Sequence, residues 1–267
     1  MTVLLLGLVG AFAIRPFWYP TGRSVKEIRD RIADTGRIVH AGGFLETEGG
    51  ERVAYSNSYD ALVNMYAHGN RVCEIDIRKT VDGLLICAHG DNDILANGTE
   101  LPVTATGEEF LAVQLYGEFQ PMTVDMPADF MREHEDLLII TDIRLENEAI
   151  CRELSIRYPD LQNRFIVQIY HEEEYNRIRE LGFENLIYTL YQAYDDEWNL
   201  WRIAHFAEEN ELIGITMPRS QFFDVKKRLA MAHCGLPVMF HTVDDPEEIS
   251  NMLQKPYVYG AYTDLIN

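Results

Sequence analysis

The segment Val72-Cys73-Glu74-Ile75-Asp76-Ile77-Arg78-Lys79-Thr80-Val81-Asp82-Gly83-Leu84-Leu85-Ile86-Cys87-Ala88-His89 carries a strand pairing and much of the chemistry of this chain. Glu74 and Asp76 interrupt the apolar run Val72–Ile77, and two residues apart in a strand they point to one face. Asp82-Gly83 is a two-residue hairpin signal. A turn centred there predicts that opposed residue numbers sum to 165. His89 is then expected opposite Asp76, with Glu74 diagonal to it. Cys87 is expected on the Asp76 face and Cys73 on the other.

Upstream, Arg37–His40 reads as a short strand that delivers His40 to a glycine-rich loop (Gly42, Gly43, Gly49, Gly50). Asn57-Ser58 caps a helix with apolar Tyr59, Leu62, Met65 and Tyr66, closed by Gly69. Ser24-Val25-Lys26-Glu27 reads as a capping box that opens a helix to about Asp34. Downstream, residues 91–121 are rich in Gly, Asn and Thr with weak periodicity, as in an insertion or lid beside a site.

From there strand and helix alternate. Strand Leu137–Arg144 leads to helix Glu148–Tyr158, strand Phe165–Ile169 to helix His171–Leu181, and strand Leu186–Leu190 to helix Asp195–Glu209. Strand Leu212–Met217 leads to helix Phe222–His233, and strand Val238–Val243 to a helix opened by the N-cap and N1 pair Asp245-Pro246. A last strand lies near Tyr257–Thr263. With the 72–89 hairpin counted once, the parallel strands number eight. The expected fold is α/β, a closed (β/α)8 TIM barrel with a β-hairpin after strand 2 and a short insertion.

Length and composition agree: 267 residues, 47% hydrophobic and 25% charged, suit one globular domain. The division is an apolar N-terminal segment, 1–20, and a barrel domain, 21–267. The net charge of −20 argues against nucleic acid or an anionic membrane surface as an electrostatic partner. An anionic substrate therefore needs local compensation, which a divalent cation supplies. Cys73, Cys87, Cys151 and Cys234 lack C-x-x-C spacing, so zinc is disfavoured and reduced thiols are expected. That points to a reducing compartment, with the chain cytoplasmic or membrane-associated.

Thr2–Ile14 is an apolar run followed by Phe17-Trp18-Tyr19. As a helix it spans roughly 20 Å, short of the roughly 30 Å hydrocarbon core. It reads either as the tail of a membrane anchor or as an apolar arm packed on the domain. The aromatic belt favours membrane attachment through residues 2–14.

The ordered motifs resemble the glycerophosphodiester phosphodiesterase family, within the phosphatidylinositol-phospholipase-C-like superfamily. That family runs H-R-G, E-N-T, E-L-D-V, a D-G turn, H-D, E-I-K, W-T-V-N and I-I-T-D. The matches here are His40-Ala41-Gly42, Ser56-Asn57-Ser58, Glu74-Ile75-Asp76-Ile77, Asp82-Gly83 and His89-Gly90-Asp91. They continue with Asp142-Ile143-Arg144, His241-Thr242-Val243-Asp244 and Ala261-Tyr262-Thr263-Asp264. The resemblance covers about residues 37–267.

It implies that Glu74, Asp76 and Asp142 ligate one divalent metal, Mg2+ or Ca2+, with His40 and His89 as the acid/base or nucleophilic pair. Arg144 falls at the family's lysine position and is a candidate phosphate contact. Three departures stand out: Ala41 replaces the family's arginine, Ser56 its glutamate, and Asp142 a third glutamate. Sphingomyelinase D-like enzymes of the superfamily also lack that arginine and use a Glu, an Asp and a distant Asp on the metal.

Each residue has a bland alternative. Glu74 and Asp76 would suit a solvated strand, but their apolar flanks argue for burial, and buried carboxylates seldom go unpaired. His40 would suit a core histidine, but it sits at a strand end before two glycines. Apolar Leu137–Ile140 makes Asp142 a buried carboxylate, while Arg144 also suits a rim ion pair. His171, His233 and His241 read as structural, and only His241 sits where a pocket uses it, as a candidate substrate contact. Trp198, Trp201, Tyr188 and Tyr191 read as packing residues, with the alternative that aromatics at the barrel rim line a substrate groove. The function expected is a metal-dependent phosphodiesterase acting on a glycerophosphodiester or related lipid-headgroup diester. The rivals are a sphingomyelinase D/lysophospholipase D-like lyase that releases a cyclic phosphate, and a catalytically silent module that binds a phosphate ligand.

Overall fold

A computed structural model describes residues 23–89, 94–96, 99–101, 104–193, 199–235 and 237–266. Eight parallel strands close a barrel: β1 (Arg37–Val39), β2 (Val72–Lys79), β3 (Leu138–Asp142), β4 (Phe165–Ile169), β5 (Leu186–Thr189), β6 (Gly214–Pro218), β7 (Val238–His241) and β8 (Val258–Thr263). Neighbours in sequence are neighbours in the sheet, and β1 pairs with both β8 and β2. The principal helices are α1 (Arg23–Thr35), α2 (Tyr59–Ala67), α3 (Asp125–Glu133), α4 (Asn147–Arg157), α5 (Glu174–Glu180), α6 (Leu200–Glu209), α7 (Val225–Cys234) and α8 (Pro246–Leu253). The expected (β/α)8 barrel is the observed one.

Strand pleating sorts the core into two layers. Ile38, Val72, Ile140, Ile166, Ile187, Met239 and Tyr262 form one buried cluster with Val25, Ile28 and Ile32 of α1. That helix plugs the amino-terminal end of the barrel. Its Arg29 donates from Nε and Nη2 to the carbonyls of Ile213 and Leu212, at 2.8 and 2.6 Å. Alternate residues such as Cys73, Ile75, Ile139, Val167, Ile215 and Phe240 pack outward in the larger cluster, which takes in the helices. Each buried aliphatic side chain contributes about 1.5–3 kcal/mol.

The deciding strand, β2, changes partner along its length. Residues 72–76 pair in parallel with 138–142 of β3, and residues 77–79 then pair antiparallel with 85–87. The hairpin is present, but its register differs from the expectation by one residue. Ile77 opposes Cys87 and Lys79 opposes Leu85, so opposed numbers sum to 164. The loop has three residues, Val81-Asp82-Gly83: Thr80 N donates to Leu84 O at 2.9 Å, and Gly83 takes a φ of 90°. The Asp82 carboxylate, accepting from Thr80 Oγ1 and Gly107 N, fixes this shape. A slip of one residue exchanges the faces. Ala88, not His89, lies against Asp76, and Cys87 faces outward with Cys73. Both are buried free thiols, as is Cys151.

Beyond the hairpin, Ile94–Ala96 pairs with Thr99–Leu101, Gly107–Leu111 is a short helix, and Met122–Thr123 pairs with Ile86 and Cys87. The Thr106/Glu109 capping box was a readable signal for that helix. Helix α3 gave none, since it is nine residues long, contains Pro127 and lacks a side-chain cap. Ser24 lies inside α1 instead of capping it. The apolar segment 2–14 and the aromatic cluster 17–19 lie outside the described residues. Among those described, no helix is long and apolar enough to cross a membrane.

Candidate metal centre and active site

The parallel register of β2 and β3 sets Asp76 directly beside Asp142, and Glu74 lies two residues earlier on the same face of β2. The three side chains are buried, and each offers an oxygen within 4.8 Å of the others. Different loops hold each carboxylate. Asn57 grips Asp76 twice, donating from Nδ2 to Oδ2 at 2.9 Å and accepting the Asp76 amide at 3.1 Å. The Ala41 amide donates to Glu74 Oε2 at 3.0 Å. Tyr191 Oη donates to Asp142 at 2.7 Å, and Tyr170 Oη donates to the same oxygen. Glu74 Oε1 is buried with no partner among the described residues.

Three carboxylates in so small a volume cannot all ionise without compensation. Burial pushes Glu74 well above the usual carboxylate range, and Asp76 and Asp142 add to the rise; the Ala41 amide and Arg144 oppose it. Burial and Asp76 likewise raise Asp142, while hydrogen bonds from Tyr170 and Tyr191, with the Arg144 charge, pull it back. An all-oxygen set of this kind, with one oxygen unpartnered, fits a hard divalent cation.

His40 follows β1 and faces this cluster. Its Nδ1 lies 2.9 Å from Asp264 Oδ1, just beyond β8, and its Nε2 lies 3.9 Å from Glu74 Oε2. The carboxylate fixes the tautomer with the proton on Nδ1, leaving Nε2 as the acceptor. Asp264 is itself held through its amide by Asp244 at 2.7 Å. Past the hairpin strand, His89 Nε2 accepts from Arg144 Nη2 at 2.7 Å. Arg144 Nε is 4.0 Å from Asp142 Oδ2, and the guanidinium lies over the Tyr191 ring, 5.6 Å from its centroid. His241 ends β7, edge-on to Tyr191 with ring centroids 5.7 Å apart. Burial, with His40 and Arg144 adding, lowers it to about 4, so this imidazole is neutral.

The segment between His40 and α2 is wound tightly. Ala41, Tyr55 and Asn57 have φ of 48°, 58° and 46°, left-handed conformations that cost about 1–2 kcal/mol for a residue with a Cβ. Such strain is characteristic of functional loops. Ser56 Oγ is 3.0 Å from Ser58 Oγ, and Ser58 caps α2 by accepting the Ala61 amide at 3.1 Å.

The fold thus gathers all seven sequence candidates. His40, Glu74, His89, Asp142, Arg144 and His241 line one cavity of about 230 Å³, and Asp76 completes the carboxylate cluster. Sequence reasoning missed Tyr55 and Tyr170, gave Asn57 only a part in the start of α2, and gave Asp264 no role. Tyr191 lines the cavity, as its alternative reading had it, and also bonds Asp142. Asp264 stood in a quoted motif, whereas the tyrosines carried no local signal. Trp198 lies outside the described residues.

Fold and site together define an α/β barrel with a candidate divalent-cation centre at the carboxyl ends of its strands. Comparison with solved structures finds the same barrel in glycerophosphodiester phosphodiesterases. One from Thermotoga maritima aligns with a TM-score of 0.62 at 16% identity, over 86% of this chain and 94% of that one. One from Parabacteroides distasonis gives 0.62 at 17%, over 90% and 88%. A phosphodiesterase from Oleispira antarctica, solved with the product sn-glycerol-3-phosphate, gives 0.62 at 16%, over 85% and 92%. At these identities the likeness is one of fold. No protein-family model matches the sequence, and no curated protein matches it.

Proposed function

We propose that this chain is a metal-dependent phosphodiesterase that cleaves glycerophosphodiesters or related lipid-headgroup diesters. The observation that carries the reading is the buried Glu74–Asp76–Asp142 cluster on the same cavity as the Asp264-oriented His40. The barrel shared with glycerophosphodiester phosphodiesterases supports the substrate class, as does the sn-glycerol-3-phosphate held by the Oleispira phosphodiesterase.

In this reading Glu74, Asp76 and Asp142 hold one Mg2+ or Ca2+. The bound cation supplies charge neutralisation at the phosphoryl oxygens. His40 takes a proton at Nε2 from the attacking water, or from a neighbouring hydroxyl whose cyclic product water then opens, while Asp264 stabilises the imidazolium that results. His89 returns a proton to the departing alkoxide. Arg144, beside His89 and Asp142, contacts a phosphate oxygen in place of the clamp that Ala41 lacks. His241, neutral and beside Tyr191, borders the alcohol.

Purified protein is expected to hydrolyse bis(p-nitrophenyl) phosphate and glycerophosphocholine with added Mg2+ or Ca2+, and to stop with chelator. His89→Ala should lower the rate about 100-fold or more; an undiminished rate in that variant would remove His89 from the mechanism. Phosphorus NMR separates hydrolysis, which gives a phosphomonoester, from a lyase, which gives a cyclic diester. Binding without turnover would identify a silent module.

A further inference from the structure

In each carboxylate of the candidate centre, one oxygen is held by a donor of the protein itself. Glu74 Oε2 accepts the Ala41 amide at 3.0 Å, and Asp76 Oδ2 accepts Asn57 Nδ2 at 2.9 Å. Asp142 Oδ1 is held most firmly, because it accepts two phenols: Tyr191 Oη at 2.7 Å, and Tyr170 Oη. Tyr170 is 2% exposed, and its oxygen accepts the Ile143 amide at 2.7 Å, so its own proton is left for Asp142. Tyr191 stands edge-on to Tyr170 with ring centroids 5.7 Å apart, and the Arg144 guanidinium lies over its ring. Its hydroxyl is also 3.0 Å from Asp142 Oδ2, the longer arm of a forked contact.

A carboxylate oxygen has two lone-pair sites. With both directed at phenols, Asp142 Oδ1 has none to offer a cation, and Oδ2 remains. Glu74 has its unpartnered Oε1, and Asp76 its Oδ1. The cluster thus offers one oxygen from each of three carboxylates, half of an octahedron. Mg2+ demands near-octahedral geometry and fills its other positions with water and substrate oxygens. Ca2+ takes about 6–8 oxygens, often through bidentate carboxylates.

Resting on the metal-dependent phosphodiesterase reading above, we infer that the centre is built for Mg2+ in preference to Ca2+, and that Tyr170 and Tyr191 are positioning residues that enforce the choice by withholding one oxygen of Asp142. Loss of either phenol frees Oδ1, lets Asp142 chelate through both oxygens, and favours the larger ion.

Calorimetric titration of metal-free protein with MgCl2 and with CaCl2, at matched ionic strength, measures the choice. Wild type should bind Mg2+ more tightly than Ca2+. Tyr191→Phe keeps the ring beneath Arg144 and removes one donor. The ratio of its dissociation constants, Ca2+ over Mg2+, should fall about 10-fold or more below that of wild type. A tyrosine with a merely structural role would weaken both cations alike and leave the ratio fixed; that result overturns the inference. Infrared difference spectra of wild type at stoichiometric Mg2+ give a second reading that needs no variant. A carboxylate bound through one oxygen separates its antisymmetric and symmetric stretches more widely than the free ion, and one bound through both separates them less. Mg2+ should produce only the wide separation, and a narrow one rejects the inference. If neither cation binds, the metal-dependent reading fails and this inference with it. Binding without preference for Mg2+ rejects this inference alone and leaves that reading standing.

Discussion

Asn57 shows how one side chain links a loop to the candidate centre. Its amide donates to Asp76 Oδ2 and accepts the Asp76 backbone N–H, and its left-handed φ is one that asparagine tolerates better than most residues. Asn57→Ala should leave Asp76 free to turn and weaken divalent-cation affinity by about 10–100-fold. Titration calorimetry with Mg2+ or Ca2+ measures this, and an unchanged affinity would mean that neighbouring groups alone orient Asp76. The sequence offered Asn57 as part of a helix start and a motif, because those are local signals. Its contact with Asp76, on a neighbouring strand, depends on how the loop returns over the barrel. Tyr170 and Tyr191 converge on Asp142 from the segments that follow β4 and β5 for the same reason.

At the scale of elements, helical and strand segments were legible wherever the hydrophobic period and caps were strong. Ser58 and Asp245 cap α2 and α8 as expected, the latter accepting the amides of Glu247 and Glu248. The hairpin register was misread because Asp82 spends its carboxylate on Thr80 and Gly107, which converts a two-residue turn signal into a three-residue loop. Helix α1 was legible as a helix but not as a plug, since nothing local says which end of a barrel it covers. Ile32, near its carboxyl end, is buried with Ile38 and Tyr262. Ile32→Ala should therefore lower the unfolding free energy by about 2–5 kcal/mol, readable as a shift in the urea midpoint at constant slope. A change below about 0.5 kcal/mol would place α1 outside the cooperative core.

The whole molecule stores unfavourable charge in order to hold its candidate centre. Glu74 and Asp142 have folded-state pKa values raised above their unfolded ones, first by burial and then by neighbouring carboxylates. For a raised group, stability is complete below the unfolded value and is lost as pH rises through the folded value. Metal-free protein should therefore melt at progressively lower temperature as the pH climbs from about 4. Saturating Mg2+ or Ca2+, which binds the ionised carboxylates, should flatten or reverse that slope. Calorimetric scans across this range, with chelator and with cation, measure both arms, and parallel slopes would exclude the cluster as a cation site. The sequence by itself determined the alternation of strands and helices and the polar residues at strand ends, because periodicity and capping act between near neighbours. The tertiary structure alone decided that Asp76 lies against Asp142, that His40 meets Asp264 from 224 residues away, and that the Tyr55 ring stands edge-on to both His40 and His89. The Asp76–Asp142 contact needs the parallel register of β2 and β3, and the His40–Asp264 contact arises only when the eighth strand closes on the first; register and closure are properties of the whole barrel.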